Sequence, residues 1–202
     1  MSHSYKHSIT VLIFFSILNR YFYGGILQNG ETKTDHKIVP YLVLDVDGEA
    51  VMERGNCHNK TEEKIVIDIV KSMREIHGKT PNMGIITFYS KQKQNISLEL
   101  QNQKLDSSRV VVNTVDGFQG SEKDVILISC VRGGQGGIGF LQDKERLNVA
   151  LTRAKKTLIV IGNMKTLSTN PMWANFVQNA QERNVYKKFS EIESLQKVLK
   201  CD

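Results

Sequence analysis

The fold of this chain is indicated first by ten residues, Arg146-Leu147-Asn148-Val149-Ala150-Leu151-Thr152-Arg153-Ala154-Lys155. Their composition favours a helix, and the apolar members recur at the spacing of a buried helical stripe. Arg146 and Arg153 stand seven positions apart, close to two helical turns, so we predict that both guanidiniums share one face of a helix capped by Asp143. Two arginines so placed can bind phosphate. The same pattern is also explained by ion pairs with nearby carboxylates such as Glu145.

The rest of the chain alternates short apolar runs with helical periods, which is typical of βα units and a mainly parallel sheet. Strands are predicted at 41–46, 83–88, 109–113, 125–130, 157–161 and near 185–189. A capping-box start at Asn59 and Glu62, with a stop at Gly78, predicts one helix. Further helices are expected at 90–103, around 173–181 and near residue 195. The sequence therefore predicts an α/β domain.

Composition narrows the class of protein without deciding its function. Lysine and arginine number 27 against 21 acidic residues, a formal charge of +6, which mildly favours a polyanionic partner but suits an inert basic surface equally well. Cys57, Cys130 and Cys201 form no paired motif, which indicates a reducing compartment and no structural zinc. The apolar segment 9–18 is too short for a membrane-spanning helix, so no membrane partner is expected.

A polar segment punctuated by glycine lies upstream of the two arginines and reads Thr114-Val115-Asp116-Gly117-Phe118-Gln119-Gly120-Ser121-Glu122-Lys123-Asp124. We predict that its residues 119–122 lie at the carboxyl edge of the sheet, where open α/β sheets bind ligands. Taken alone, it also suits an ordinary tight loop. Together with residues 146–155, it resembles motifs V and VI of superfamily-one helicases, in the branch of senataxin and the up-frameshift nonsense-decay helicase. The resemblance extends over roughly residues 19–190.

The resemblance implies a RecA-like fold, of the P-loop NTPase type but without its own P-loop. It also implies the second motor domain of an ATP-dependent RNA or DNA helicase. Arg153 would be the arginine finger, a group worth about 10³ to 10⁵ in turnover. Arg146 would be a second clamp on the nucleotide or the neighbouring domain. Gln119, Gly120 and Glu122 would contact the nucleotide.

The same resemblance assigns nucleic-acid contacts to Thr87, Tyr89, Thr114 and Asp116. Thr87 resembles the motif IV threonine that holds a phosphate of the bound strand, although the family's following proline is Phe88 here. The ring of Phe88 or Tyr89 could stack on a base, and both could equally be buried. The segment 133–139 lacks a phosphate-loop pattern and is expected to be a flexible loop.

The sequence is expected to supply only part of an ATP site. It contains no Walker A motif and no Asp-Glu pair after a strand to hold magnesium. ATP and Mg²⁺ are therefore expected only together with a first RecA-like domain, and the chain alone should be inactive. Single-stranded RNA or DNA is the expected partner, in the nucleus or cytoplasm, with the nucleus favoured. The alternative is a non-catalytic nucleic-acid- or partner-binding module that keeps the fold.

Three segments are predicted along the chain. Residues 1–18 match nothing in the family, residues 19–40 form a lead-in with an aromatic cluster and two glycines, and residues 41–202 form the RecA-like domain. A fragment of a longer helicase and an independent chain explain the unmatched start equally well.

Overall fold

The computed structural model describes residues 37–53, 55–105, 108–134 and 137–201. The segment predicted at 1–18, and nearly all of the lead-in predicted at 19–40, lie outside these residues. The described part of the chain forms a parallel sheet with helices on both faces. The predicted α/β class is therefore confirmed.

The strands are β1 (Tyr41–Asp45), β2 (Val51–Glu53), β3 (Asn56–His58), β4 (Met83–Thr87), β5 (Val110–Thr114), β6 (Lys123–Ser129), β7 (Ala154–Gly162) and β8 (Tyr186–Lys188). β2 and β3 pair as a separate antiparallel hairpin. The other six form one parallel sheet in the order β5-β4-β6-β7-β1-β8. The central strands are runs of valine, isoleucine and leucine, as expected for strands covered on both faces. All the predicted strands are present.

The helices are α1 (Lys60–His77), α2 (Ser90–Asn102), α3 (Lys144–Leu151), α4 (Met164–Leu167), α5 (Pro171–Glu182) and α6 (Leu195–Leu199). The predicted caps of α1 are confirmed. The Asn59 side chain accepts a hydrogen bond from the backbone N–H of Glu62 at 3.1 Å. The helix ends at Gly78, whose φ of 70° lies in the left-handed region that glycine adopts without strain.

Buried apolar side chains cover both faces of the sheet. Leu44 and Leu127 lie on the face that packs against α1, α2 and α6. Val43 lies on the other face, in a core that includes Trp173 and residues of α3, α4 and α5. Cys130 belongs to this second core, where burial raises the pKa of its thiol well above the ordinary value. Cys130 therefore contributes to core packing.

The sheet has two edges that carry different candidate residues. Because the six strands are parallel, their carboxyl ends share one edge, where Thr87 pairs in register with Thr114 and Ser129. Their amino ends share the opposite edge, where Lys123 pairs with Ala154. We call these the carboxyl edge and the amino edge.

The helix predicted over residues 146–155 is wrong in its second half. α3 ends at Leu151, and the Thr152 hydroxyl donates to a carbonyl of the last turn at 2.8 Å. The backbone N–H of Lys123 donates to the Arg153 carbonyl at 3.1 Å, and β7 begins at Ala154. Because pairing with β6 outweighs local helix propensity here, the two arginines do not share a helical face.

Candidate nucleotide and nucleic-acid interface

Arg153 lies at the amino edge, two residues after the end of α3. Its Nε donates to the Val149 carbonyl at 3.0 Å, and its Nη2 donates to the Thr152 hydroxyl at 2.8 Å. Val149 contributes one of the last carbonyls of the helix, so the guanidinium satisfies the helix end and lies near the negative end of its dipole. The side chain is partly exposed and lies outside both apolar cores. An arginine that contacts an anion needs this exposure.

The loop after β5 crosses one face of the sheet to reach β6. Phe118 of this loop is buried against β4, and a Cβ placed on Gly84 of β4 would lie 2.4 Å from the Phe118 ring. The loop then arrives at the amino end of β6, directly after Glu122. The prediction that residues 119–122 lie at the carboxyl edge is therefore wrong. A connection between parallel strands has to return to the amino edge before the second strand begins.

This return brings the predicted nucleotide residues to the same edge as Arg153. Glu122 and Arg153 each immediately precede a residue of the first pair between β6 and β7. The Glu122 carboxylate lies 3.8 Å from Lys155 Nζ, with both side chains about half exposed. Gln119 and Gly120 are exposed in the preceding turn. The amino edge therefore presents a carboxylate, an amide and two cations on neighbouring segments.

Arg146 lies at the opposite end of α3 and contacts the start of the loop after β5. Its Nε donates to Asp116 Oδ1 at 3.0 Å, and its Nη2 lies 3.0 Å from Asp116 Oδ2. Asp143 caps α3 as predicted, because its Oδ1 accepts the backbone N–H groups of Glu145 and Arg146. The Arg146–Asp116 pair is partly exposed and contributes little to stability. The pair nevertheless connects the two motifs described above, residues 114–124 and residues 146–155.

Thr87 and Thr114 end neighbouring strands at the carboxyl edge. Thr87 is 0% exposed, and its hydroxyl has no hydrogen-bond partner within the described part of the chain. A buried hydroxyl left in this state costs about 1 to 3 kcal/mol. Thr114 is partly exposed, and its hydroxyl accepts the Gly117 N–H at 3.4 Å. Of these two residues predicted to contact nucleic acid, only Thr114 is therefore accessible to solvent.

Tyr89 and Phe88 are both buried, and the exposed ring nearby belongs to Phe140. Tyr89 is 6% exposed, and its ring centroid lies 5.7 Å from that of Phe140. The guanidinium carbon of Arg132 lies 5.9 Å from the same Tyr89 centroid. Phe140 was not predicted to be a functional residue. The available signal was an aromatic residue between Gly139 and the apolar Leu141 at the end of a glycine-rich loop.

A buried polar network holds the start of the loop that carries Arg132 and Phe140. Glu62 is 0% exposed, and its Oε2 accepts hydrogen bonds from the Ser129 hydroxyl at 2.6 Å and the Val131 N–H at 2.9 Å. Asn59 Nδ2 donates to the Val131 carbonyl at 3.1 Å. Gln92 Nε2 donates to Ser129 Oγ at 2.9 Å. Burial raises the pKa of Glu62 to about 7, against the opposing effect of these hydrogen bonds.

The network holds Val131 in a strained conformation. Val131 has a φ of 71°, which is a genuine outlier for a β-branched residue. Both of its backbone polar groups are held by side chains, the N–H by Glu62 and the carbonyl by Asn59. This bend directs the chain from β6 into the loop that carries Arg132 and Phe140. Glu62 was predicted only as part of the cap of α1.

The strand order, the parallel connections and the helices on both faces define a RecA-like α/β domain. The fold is shared with the solved C-terminal domain of a possible DNA helicase from Lactobacillus plantarum, at a TM-score of 0.53 and 14% identity over 92% of this chain and 99% of that one. A family model described as an AAA domain matches residues 12–165. The chain belongs to this AAA domain family, in the senataxin and up-frameshift branch of the superfamily-one helicases.

Two curated relatives illustrate the likeness. The chain is 41% identical over 157 residues to the probable helicase senataxin of Mus musculus, a match that covers 75% of this chain and 6% of the relative. It is 38% identical over 194 residues to the ATP-dependent helicase upf1 of Schizosaccharomyces pombe, covering 87% of this chain and 21% of the relative. The chain thus spans a small part of the length of these relatives.

Two features are absent from the described residues. None of their helices has both the length and the apolar character needed to cross a bilayer. Among the same residues, no three His, Cys, Asp or Glu side chains gather in a way that could hold a metal ion.

Proposed function

We propose that this chain acts as the second motor domain of an ATP-dependent RNA or DNA helicase. In this proposal a first RecA-like domain brings the phosphate loop and the magnesium ligands, and the present chain brings Arg153 as the arginine finger. The observation that carries the proposal is the placement of Arg153 and Glu122 at the amino edge, each immediately before one of two paired residues on neighbouring strands. The membership of the chain in a helicase family gives this edge its chemical meaning.

The residues at the amino edge suit the phosphate side of ATP. Arg153 would exchange its bonds to the end of α3 for bonds to the terminal phosphate, because charge-assisted bonds to an anion are stronger than bonds to neutral oxygens. Gln119 and Glu122 would orient the nucleotide beside it. The sequence has no Walker A motif and no Asp-Glu pair after a strand. In this proposal the chain therefore completes an ATP site and does not form one alone.

Arg146 enters the proposal as the second cation. It is held by Asp116 at the carboxyl-edge end of α3, so it would reach a phosphate or a carboxylate of the neighbouring domain only by exchanging that partner. Thr87, Tyr89, Thr114 and Asp116 are proposed to act at the carboxyl edge toward single-stranded nucleic acid. Thr87 and Tyr89 are both buried and would support this surface from beneath, while Thr114 and Asp116 would contact the strand. We further propose an intracellular location, with the nucleus favoured over the cytoplasm.

The test joins this chain to the first motor domain of a senataxin relative and measures ATPase activity with single-stranded RNA. Arg153→Ala should lower turnover by about 10³-fold or more. Arg183→Ala is the matched control, because Arg183 also follows a helix and its Nε donates back to Asn179 at 3.0 Å. Turnover of the control should stay within about threefold of the wild type.

Two results would contradict the proposal. Arg153→Ala turnover equal to that of the Arg183→Ala control would remove the finger. Robust ATPase activity of the purified chain by itself would show that no first domain is needed. If the joined protein binds RNA normally and never hydrolyses ATP, the alternative function of a non-catalytic binding module is favoured. Its supporting observation is that Arg146 and Arg153 are both already engaged by protein groups.

A further inference from the structure

An irregularity in the sheet lies at the amino edge, directly after the first pair between β6 and β7. Between that pair and the next, β6 has one residue, Asp124, whereas β7 has two, Lys155 and Lys156. This is a β-bulge, which is rare between parallel strands and is over-represented beside active sites, where it redirects a side chain. The bulge immediately follows the segments that carry Arg153 and Glu122.

The extra residue gives each lysine of the bulge its own carboxylate. Lys155 Nζ lies 3.8 Å from Glu122 Oε2, and Lys156 Nζ lies 3.6 Å from Asp124 Oδ2. In a regular register Lys155 would lie directly opposite Asp124. The bulge leaves Asp124 to Lys156, so that Lys155 instead reaches back to Glu122 at the end of the preceding turn.

Glu122 needs a cation beside it if it is to contact a nucleotide. Its side chain is about half exposed and follows an exposed turn, so packing restricts it only partly. A carboxylate accepts hydrogen bonds and donates none, so in the proposed site it can bond only to hydroxyl or amino groups of the nucleoside. The phosphates of ATP repel it. A neighbouring ammonium offsets this repulsion and fixes the direction in which the carboxylate oxygens point.

We propose that Lys155 is a positioning residue for nucleotide binding, whose ammonium holds the Glu122 carboxylate in the orientation that contacts the nucleoside of ATP. The proposal rests on the proposed function, because it requires the amino edge to be the nucleotide site. Lys155 does not itself contact the nucleotide, and it does not share the role of Arg153 toward the terminal phosphate. It contributes to the affinity for the nucleotide and not to the chemical step.

The experiment uses the chain joined to a first motor domain and measures ATPase activity over a range of ATP concentrations. Lys155→Ala should raise KM for ATP by about 3- to 10-fold and leave kcat within about twofold of the wild type. The inhibition constant of ADP should rise by the same factor, because ADP keeps the nucleoside that Glu122 contacts. Lys156→Ala is the matched control, because Lys156 lies in the same bulge and pairs with a carboxylate outside the proposed site. Its KM and kcat should stay within about twofold of the wild type.

Two further variants distinguish positioning from a general loss of positive charge. Lys155→Arg keeps a cation beside the carboxylate and should return KM to within about threefold of the wild type. In a Glu122→Gln background, Lys155→Ala should cause no further rise in KM, because no carboxylate remains to be positioned.

The outcomes separate this proposal from the proposed function. If Lys155→Ala has the KM of the Lys156→Ala control while Arg153→Ala still loses turnover, the positioning role is overturned and the motor domain stands. A lower kcat at unchanged KM for Lys155→Ala would place Lys155 on the phosphates and also reject positioning, as would additive effects of Lys155→Ala and Glu122→Gln. If the joined wild-type protein does not hydrolyse ATP, both proposals fail.

Discussion

Replacing Glu62 with glutamine should remove a pH dependence from the stability of this domain. The Glu62 carboxyl is fully buried and its pKa is raised from 4.5 to about 7, chiefly by burial. Because the folded pKa lies above the unfolded one, the folded state binds the proton more tightly. Its contribution is fully present below about pH 4.5 and is lost as the pH rises through about 7.

The magnitude follows from the size of this pKa difference. Each unit corresponds to about 1.4 kcal/mol, so ionisation of Glu62 costs the fold about 3 kcal/mol between pH 4.5 and pH 8. Glutamine has nearly the same shape and cannot ionise, and its amide oxygen can still accept from Ser129 and Val131. The free energy of unfolding of the wild type should therefore fall by about 3 kcal/mol relative to that of Glu62→Gln across this range.

Urea titrations at several pH values measure this difference. The chain has one tryptophan, Trp173, which is fully buried and reports unfolding by fluorescence. Glu182→Gln is the control, because Glu182 is exposed at the end of α5 and should leave the pH profile unchanged. A constant difference between wild type and Glu62→Gln from pH 4.5 to pH 8 would refute the reasoning, because it would mean that Glu62 titrates alike in the folded and unfolded states.

Two other changes test the geometry around α3. Gly139→Ala should destabilise the domain by about 1 to 3 kcal/mol in urea titrations, because Gly139 has a left-handed φ and a Cβ there would lie 2.7 Å from the Tyr89 hydroxyl oxygen. Gly120→Ala should cost about 1 kcal/mol, because Gly120 has a φ of 79° but open space around it. Equal costs would contradict the close contact between Gly139 and Tyr89. A double-mutant cycle on Arg146 and Asp116 should give a coupling of less than about 1 kcal/mol that shrinks in high salt, and a larger coupling insensitive to salt would show that the pair is more shielded than its exposure indicates.

Much of the fold could be predicted from short-range signals. The strands were found because runs of β-branched and leucine residues read the same way wherever they lie in a parallel sheet. The ends of α1 were found because Asn59 bonds within its own first turn and Gly78 adopts its conformation through local sterics. The Asp143 cap of α3 was found for the same reason. Each of these features depends on residues only a few positions apart.

The errors arose where distant segments decide the structure. Arg153 was placed on a helix because its neighbours favour one, and the pairing with Lys123 that ends the helix comes from a strand thirty residues upstream. The network around Glu62 joins groups up to 72 positions apart, from Asn59 to Val131. No local spacing of residues in the sequence predicts these hydrogen bonds. The exposure of Phe140 and the burial of Tyr89 likewise depend on which loop lies over which strand.

The brevity of α3 has a mechanical consequence. With eight residues it is about 12 Å long, too short to bend appreciably, and each end is attached to a different partner. Arg146 ties its first turn to Asp116, and Arg153 closes its last turn beside Glu122. In the proposed motor domain, a displacement of Asp116 by a bound strand would be transmitted through this stiff helix to Arg153, and ATP hydrolysis would thereby be coupled to movement.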